Sequence, residues 1–146
     1  MTKKIFVTGT GTGIGKTFVT RAIVRALANQ GLAVTALKPV ESGVQDVMGE
    51  KKPLDAVALR DASKSGEPVE SICGYMFTAP VSPHLAAKQE GVEIDKNRLL
   101  DLLCCRENDS DFIIAEGAGG LMVPLSDTFI YADIIKEAGY ELLIVA

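Results

Sequence analysis

Short apolar runs alternate with helical patterns along most of the chain. The runs at 4–8, 33–38, 111–115 and 141–146 are four to six residues long and mostly apolar, as strands buried on both faces of a sheet are. Between them, apolar residues recur at helical spacing at 17–29, near 54–62, and at 95–106 and 129–138. Strands that alternate with helices pair in parallel, so this order predicts an α/β fold whose parallel sheet carries helices on both faces.

Composition limits the chain to one domain and excludes several classes of partner. Its 146 residues, 47% hydrophobic and 23% charged, fit a single globular domain. With 19 acidic and 15 basic side chains the formal charge is −4, and no Lys/Arg cluster occurs, so we expect neither nucleic acid nor a membrane surface as partner. No apolar run approaches the roughly 20 residues of a membrane span. The first residues do not have the pattern of a signal peptide, because a glycine-rich loop follows after only a few apolar residues.

The three cysteines are Cys73, Cys104 and Cys105, and they show no metal-binding spacing. An odd number without a CxxC pair argues against a disulfide framework and against a zinc site. This usage fits a reducing cytoplasm. We expect Cys104 and Cys105 to be buried as small apolar side chains.

A glycine-rich segment at 9–17 follows the first predicted strand and precedes the first helix. Its small residues allow successive backbone N–H groups to surround phosphate oxygens at a helix N-terminus. Lys16 would supply a cation to the β and γ phosphates, and the Thr17 hydroxyl would bind Mg²⁺. The strict motif has glycine at position 10, where this chain has Thr10 and the glycine lies one residue earlier. The context still predicts a P-loop NTPase-type fold.

A second loop, at 38–43, follows the second predicted strand and begins with Lys38. A lysine at a strand end commonly only reaches solvent. Beside a nucleotide, however, the Lys38 ammonium could hold a substrate anion against the γ-phosphate and stabilise the charge that develops during transfer. Ser42 and Gly43 would permit the close approach of a ligand.

A third loop, at 116–120, follows the apolar run 111–115 and begins with Glu116. A carboxylate at this place in a P-loop site reaches Mg²⁺, directly or through water. Asp55 starts a short helix and by itself would only complement the helix dipole, so it is a metal candidate by association alone. Because the carboxyl ends of parallel strands share one edge of the sheet, we expect Lys16, Thr17, Lys38 and Glu116 to converge on one phosphate.

Together these loops resemble the dethiobiotin synthetase family. The matching stretches are 7–17, 38–43, 80–84, 116–120 and 123–127, in the family's order and approximate spacing. The resemblance implies a homodimer that uses MgATP, CO₂ and 7,8-diaminononanoate. It also implies that one amine becomes a carbamate, which attacks the γ-phosphate, and that the second amine then closes the ureido ring and expels phosphate.

The resemblance also implies roles for individual residues. ATP would be bound by Gly13, Ile14, Gly15, Lys16, Thr17, Phe18, Asp55, Glu116, Gly117, Ala118 and Gly119. Of these, Thr17, Asp55 and Glu116 would surround Mg²⁺. The catalytic residues would be Lys16 and Lys38, and Ser42 would touch the substrate. The chain departs from the family at Gly13, where a larger residue is frequent. We expect 1–146 to be a single ATP-binding ligase domain that is C-terminally incomplete relative to the family. If the protein itself ends at Ala146, we expect weak nucleotide binding or no activity.

Three other interpretations stay open. A non-enzymatic nucleotide switch of the partition-ATPase type would carry a signature lysine at position 11, where this chain has Gly11. A glutamine-dependent synthetase of the cobyrinic acid type would need a further domain, and a degenerate chain would only bind anions. His84, the only histidine, is either a general base or an ordinary residue near the surface at the start of a helix at 83–89.

Overall fold

The computed structural model describes all 146 residues. The strands are β1 (Lys3–Gly9), β2 (Val34–Leu37), β3 (Val40–Ser42), β4 (Gln45–Val47), β5 (Glu50–Lys52), β6 (Tyr75–Phe77), β7 (Phe112–Glu116) and β8 (Glu141–Val145). The helices are α1 (Lys16–Asn29), α2 (Leu54–Ser63), α3 (Pro83–Gln89), α4 (Lys96–Cys104) and α5 (Tyr131–Glu137), with a short 3₁₀ turn at Val69–Ser71. None of these helices combines the length and hydropathy that a membrane crossing requires.

A four-stranded parallel sheet forms the centre of the fold, in the order β2-β7-β1-β8. Its strands are the four predicted apolar runs, each within two residues of the predicted bounds. In this register Val7 lies beside Glu116, and Leu37 lies beside Ala115. The carboxyl ends of β1, β2 and β7 therefore meet at one edge, where the three predicted loops begin.

Helices cover both faces of this sheet, because successive strand residues point to opposite sides. Val7 and Ile114 pack with Val24 of α1 and Leu59 of α2 on one face. On the other face, Phe6, Ile113 and Ala115 belong to a larger core with residues of α3, α4 and α5. The predicted α/β architecture with helices on both faces is confirmed.

Two small sheets between β2 and α3 were not predicted. The strands β3 and β6 pair in parallel, and β4 and β5 form an antiparallel hairpin, where the sequence indicated only loops around one helix. Each of these strands has three residues, too few to show a period of two. The β3–β6 pair matters for the site, because it holds the second loop against the segment that leads into α3.

The prediction for two cysteines was wrong. Cys104 and Cys105 are exposed, whereas Cys73 is buried, and all three thiols are free. The helix α4 ends at Cys104, one residue beyond the buried Leu103, so both thiols lie outside the face that packs on the sheet.

The edge strand β8 is less covered than the other strands of the central sheet. Leu142 and Ile144 are among the large apolar side chains that remain exposed, at 46% and 62%. One side of β8 pairs with β1, and the other has no neighbouring strand.

Candidate active site

The segment between β1 and α1 forms an open loop at the helix N-terminus. Gly13 and Gly15 have φ angles of +69° and +94°, a region that side chains with a Cβ rarely adopt. Gly15 is also the N-cap of α1 and supplies no side-chain hydrogen bond, which leaves N–H groups of the first turn available to an anion. The Lys16 ammonium folds back over this loop and donates to the Gly11 carbonyl oxygen at 2.9 Å.

Glu116, at the end of β7, is the centre of the site and is completely buried. Its Oε1 accepts a hydrogen bond from the Thr17 hydroxyl at 2.7 Å and another from the Lys38 ammonium at 2.8 Å. Its Oε2 is equally buried and has no partner. One carboxylate oxygen thus joins the start of α1 to the end of β2.

Lys38 also connects the ends of β2 and β7 to a third element, the helix α2. Its Nζ lies 3.1 Å from Oδ2 of Asp55, in the first turn of α2, and also donates to the Gly117 carbonyl oxygen at 3.2 Å. Burial alone would lower the pKa of Lys38, but the two carboxylates outweigh it and raise that pKa above its ordinary value. Lys38 is therefore a fixed positive charge at this edge.

A second cation, the ammonium group of Lys16, lies close enough to Lys38 for their positive charges to repel each other. The pKa of Lys16 is lowered, first by burial and then by the positive charge of Lys38, against the opposing pull of Glu116 and Asp55. Two neighbouring ammonium groups repel each other, and an anion that binds beside both of them offsets this repulsion. The electrostatics of the site therefore favour a multiply charged anion such as a phosphate chain.

Glu41 belongs to the site, and sequence reasoning gave it no role. It lies on β3 with 5% of its surface exposed, and its Oε1 accepts hydrogen bonds from the backbone N–H groups of Asp55 and Ala56. Burial and the nearby Asp55 carboxylate raise the pKa of Glu41 to about 7, although Lys38 and the two N–H groups act in the other direction. A sequence signal does exist, because α2 begins after Pro53, which cannot cap a helix with its side chain.

Tyr131 is another residue that the sequence did not indicate. It is 1% exposed, and its hydroxyl oxygen accepts a hydrogen bond from the Ala118 backbone N–H at 3.2 Å. Burial raises the pKa of Tyr131 to about 12, so the phenol stays protonated at neutral pH. Its position holds the third loop against the core beneath Phe6, whose ring is 5.6 Å from that of Tyr131.

These groups surround one cavity of about 730 Å³. All the predicted site residues except Ile14 line it, namely Gly13, Gly15, Lys16, Thr17, Phe18, Lys38, Ser42, Asp55, Glu116, Gly117, Ala118 and Gly119. The Ile14 side chain instead lies over Gly9, where an added Cβ would come within 2.4 Å of it. The structure brings the three loops together as expected, and the roles of their residues in binding stay predictions.

The segment before α3 also lines the cavity. Residues 80–83 line the cavity near Ser42, because the β3–β6 pairing and a hydrogen bond from Gly43 N–H to the Ala79 carbonyl oxygen hold the two segments together. His84 does not line the cavity. Its Nε2 lies 2.9 Å from Oδ1 of Asp127, in a separate shallow hollow, so nothing in the geometry favours it as a general base.

The donor set of the site fits Mg²⁺. This cation prefers oxygen ligands, and the loops offer the Thr17 hydroxyl and the carboxylates of Asp55 and Glu116. Oε2 of Glu116 is a buried carboxylate oxygen without a hydrogen-bond partner, so it could bind a cation. No three His, Cys, Asp or Glu side chains form a metal-binding group by themselves, so phosphate oxygens or water would have to complete the coordination.

The sequence profile of one protein family, described as an AAA domain, matches residues 3–146. The chain belongs to this AAA domain family. Its parallel sheet and the loop between β1 and α1 are those of a P-loop NTPase-type domain, so the predicted fold class is confirmed.

Curated relatives of this AAA domain are ATP-dependent dethiobiotin synthetases. The one from Anaeromyxobacter dehalogenans strain 2CP-C is 44% identical over 142 residues, which are 97% of this chain and 62% of that protein. The one from Ralstonia nicotianae strain GMI1000 is 40% identical over 140 residues, 96% of this chain and 61% of that protein. The one from Thermodesulfovibrio yellowstonii is 35% identical over 147 aligned positions, with 96% and 61% covered. The predicted resemblance to dethiobiotin synthetases is confirmed, and the chain spans about 62% of the length of the first of these relatives.

Proposed function

We propose that this AAA domain binds MgATP and uses it to carboxylate 7,8-diaminononanoate with CO₂ and to close the ureido ring of dethiobiotin. One observation carries the proposal: Glu116 Oε1 binds both Thr17, from the phosphate loop, and Lys38, from the second loop. The groups that would bind phosphate and the cation that would stabilise the attacking anion thereby share one cavity. The names of the relatives support ATP as a reactant and dethiobiotin as the product.

Thr17, Asp55 and Glu116 would hold the metal in this proposal. When bound, Mg²⁺ would neutralise charge on the phosphate oxygens. The backbone N–H groups of the loop at 10–15 would hold the phosphate chain at the N-terminus of α1. Lys16 would exchange its hydrogen bond with the Gly11 carbonyl oxygen for one with a phosphate oxygen, a stronger bond because both partners are charged.

Lys38 would act on the anion that attacks the γ-phosphate. One substrate amine adds to CO₂ and loses a proton, which gives a carbamate. A carbamate oxygen then attacks the γ-phosphorus, and ADP leaves with the electron pair of the broken bond. A buried cation beside this oxygen stabilises the negative charge that moves during the transfer. The second amine next attacks the carbamoyl carbon, inorganic phosphate leaves and the ring closes, while Ser42 orients the diamine.

The same proposal covers the setting of the reaction. Residues 1–146 would form a single ATP-binding ligase domain that acts in the cytoplasm as a homodimer. The dimer and the compartment rest on the family resemblance and on the cysteine usage.

The deciding experiment measures phosphate release from MgATP and bicarbonate, with and without the diamine. We expect release that requires the diamine and matches the dethiobiotin formed. Release that ignores the diamine would contradict the ligase assignment and favour a nucleotide switch. The Lys38→Ala variant, first checked for folding, should lose turnover while it keeps most of its ATP binding. Equal loss of both would mean that Lys38 has only a structural role.

A further inference from the structure

We propose that Glu41 is a positioning residue: it caps α2 from the neighbouring strand and so holds Asp55 in place for Mg²⁺. The proposal deepens the proposed function and rests on it only through the assignment of Asp55 to the metal.

The start of α2 lacks a cap of its own. Its N-cap residue is Pro53, whose side chain makes no capping hydrogen bond. Unpaired N–H groups at a helix start are costly when they are shielded from water. Glu41 supplies the missing acceptor, because its Oε1 binds the backbone N–H of Asp55 at 2.6 Å and that of Ala56 at 3.2 Å.

This cap fixes the residue that carries the candidate metal ligand. Asp55 is 41% exposed on its side chain, and its one ion pair is the contact with Lys38 at 3.1 Å. An exposed carboxylate has several rotamers and is placed only as well as its backbone is. Because the bond from Glu41 is made to the backbone N–H of Asp55 itself, the cap sets the point from which the carboxylate extends.

The cap also comes from a strand, β3, that lines the candidate cavity. Glu41 precedes Ser42 on β3, which pairs with β6 and lines the same cavity. An acidic cap at residue 53 would stabilise α2 equally well without the burial of a carboxylate. A cap from β3 does more, since it ties the helix that carries Asp55 to the strand that carries Ser42. Its second oxygen, Oε2, is buried without a partner, so the arrangement costs stability.

Three variants of the full chain separate positioning from general stability. Glu41→Ala removes the cap, and Glu41→Gln keeps an oxygen that can accept from the two N–H groups. The matched control is Asp95→Ala, because Asp95 caps α4 in the same way, accepting from the N–H groups of Asn97 at 2.8 Å and Arg98 at 3.4 Å, and does not line the cavity.

Two measurements are made on each variant. In metal-free protein, hydrogen exchange of the Asp55 and Ala56 amides reports the cap itself. In the second measurement, protein mixed with a fluorescent ATP analogue is titrated with Mg²⁺. The Mg²⁺ concentration that gives half-maximal binding of the analogue reports the metal site. We expect Glu41→Ala to speed amide exchange and to raise that concentration about tenfold, the usual effect of removing a residue that orients a metal ligand. Glu41→Gln should lie close to wild type, and Asp95→Ala should leave the Mg²⁺ dependence unchanged.

Each other outcome has a distinct meaning. If Glu41→Ala matches Asp95→Ala in its Mg²⁺ dependence, Glu41 is only a structural cap and the proposal is wrong. If Glu41→Gln is as impaired as Glu41→Ala, the charge of Glu41 and not its cap is what matters, which also overturns the proposal. Wild-type nucleotide binding that ignores Mg²⁺ would overturn the role of Asp55 and this inference with it. A wild-type chain that needs Mg²⁺ but releases no phosphate with the diamine would refute the proposed function alone.

Discussion

Replacing Lys38 by methionine tests whether the ion pairs at the sheet edge hold the free protein together. Methionine keeps the length and most of the apolar stem of Lys38 and removes the ammonium. The completely buried Glu116 then keeps only the Thr17 hydroxyl as a partner for Oε1, and its Oε2 has none. A buried carboxylate that loses its cation is left charged in a medium of low dielectric constant.

The expected loss is large relative to the stability of a domain of this size. Removing one partner of a buried ion pair costs about 3–5 kcal/mol, whereas whole domains are stable by about 5–15 kcal/mol. For a chain of this length the loss corresponds to a fall in Tm on the order of 10 °C. Saturating Mg²⁺ should recover part of it in Lys38→Met, because a divalent cation can neutralise Glu116 and Asp55 in place of the ammonium.

Urea unfolding is measured for wild type and Lys38→Met, once with EDTA and once with Mg²⁺. If the slope m is the same for both proteins, the shift in the midpoint urea concentration gives the loss of stability and its recovery by Mg²⁺. Lys88→Met is the control, since Lys88 pairs with Asp127 at 3.1 Å where both side chains are exposed, and such pairs contribute little. A loss below about 1 kcal/mol for Lys38→Met in EDTA would refute the reasoning, because Glu116 would then have found water or another partner.

Two further predictions concern residues that support the site. Glu41 has its pKa raised from 4.5 to about 7, so the folded protein holds a proton that the unfolded chain releases. The stability of wild type should therefore fall relative to Glu41→Gln as the pH rises from about 5 to 7, by roughly 2 kcal/mol, and urea series that stay parallel with pH would contradict this. Tyr131→Phe removes the acceptor for the Ala118 N–H, at a cost of about 1 kcal/mol. Exchange of the Ala118 amide should become faster, and unchanged exchange would mean that the hydroxyl does not hold the loop.

The central fold was accessible from the sequence because its signals are local and repeated. A run such as 111–115 is apolar on both faces, and only a strand in the middle of a layered sheet needs that pattern. The short strands β3 to β6 could not be predicted from the sequence, because each is defined by the strand it pairs with and not by its own three residues. Pairing between β3 and β6 depends on the 32 intervening residues, 43–74, whose path no local pattern describes.

The sequence likewise predicted some residues of the candidate site and missed others. Lys38 and Glu116 were predicted because a charged residue directly after an apolar strand must lie at the edge of the sheet. Glu41 and Tyr131 were missed because their partners are backbone N–H groups in other elements, which every residue offers. In the sequence, Tyr131 looks like any aromatic residue on the buried face of a helix. Glu41 was detectable only indirectly, through the absence of a capping side chain before α2.

The open side of β8 matters for a sample that consists of residues 1–146 alone. On that side its backbone N–H and C=O groups have no strand to pair with, and Leu142 and Ile144 are exposed on the same strand. Such an edge is a template to which strands of other molecules can add. In such a sample, aggregation through β8 would lower apparent activity and raise light scattering with protein concentration.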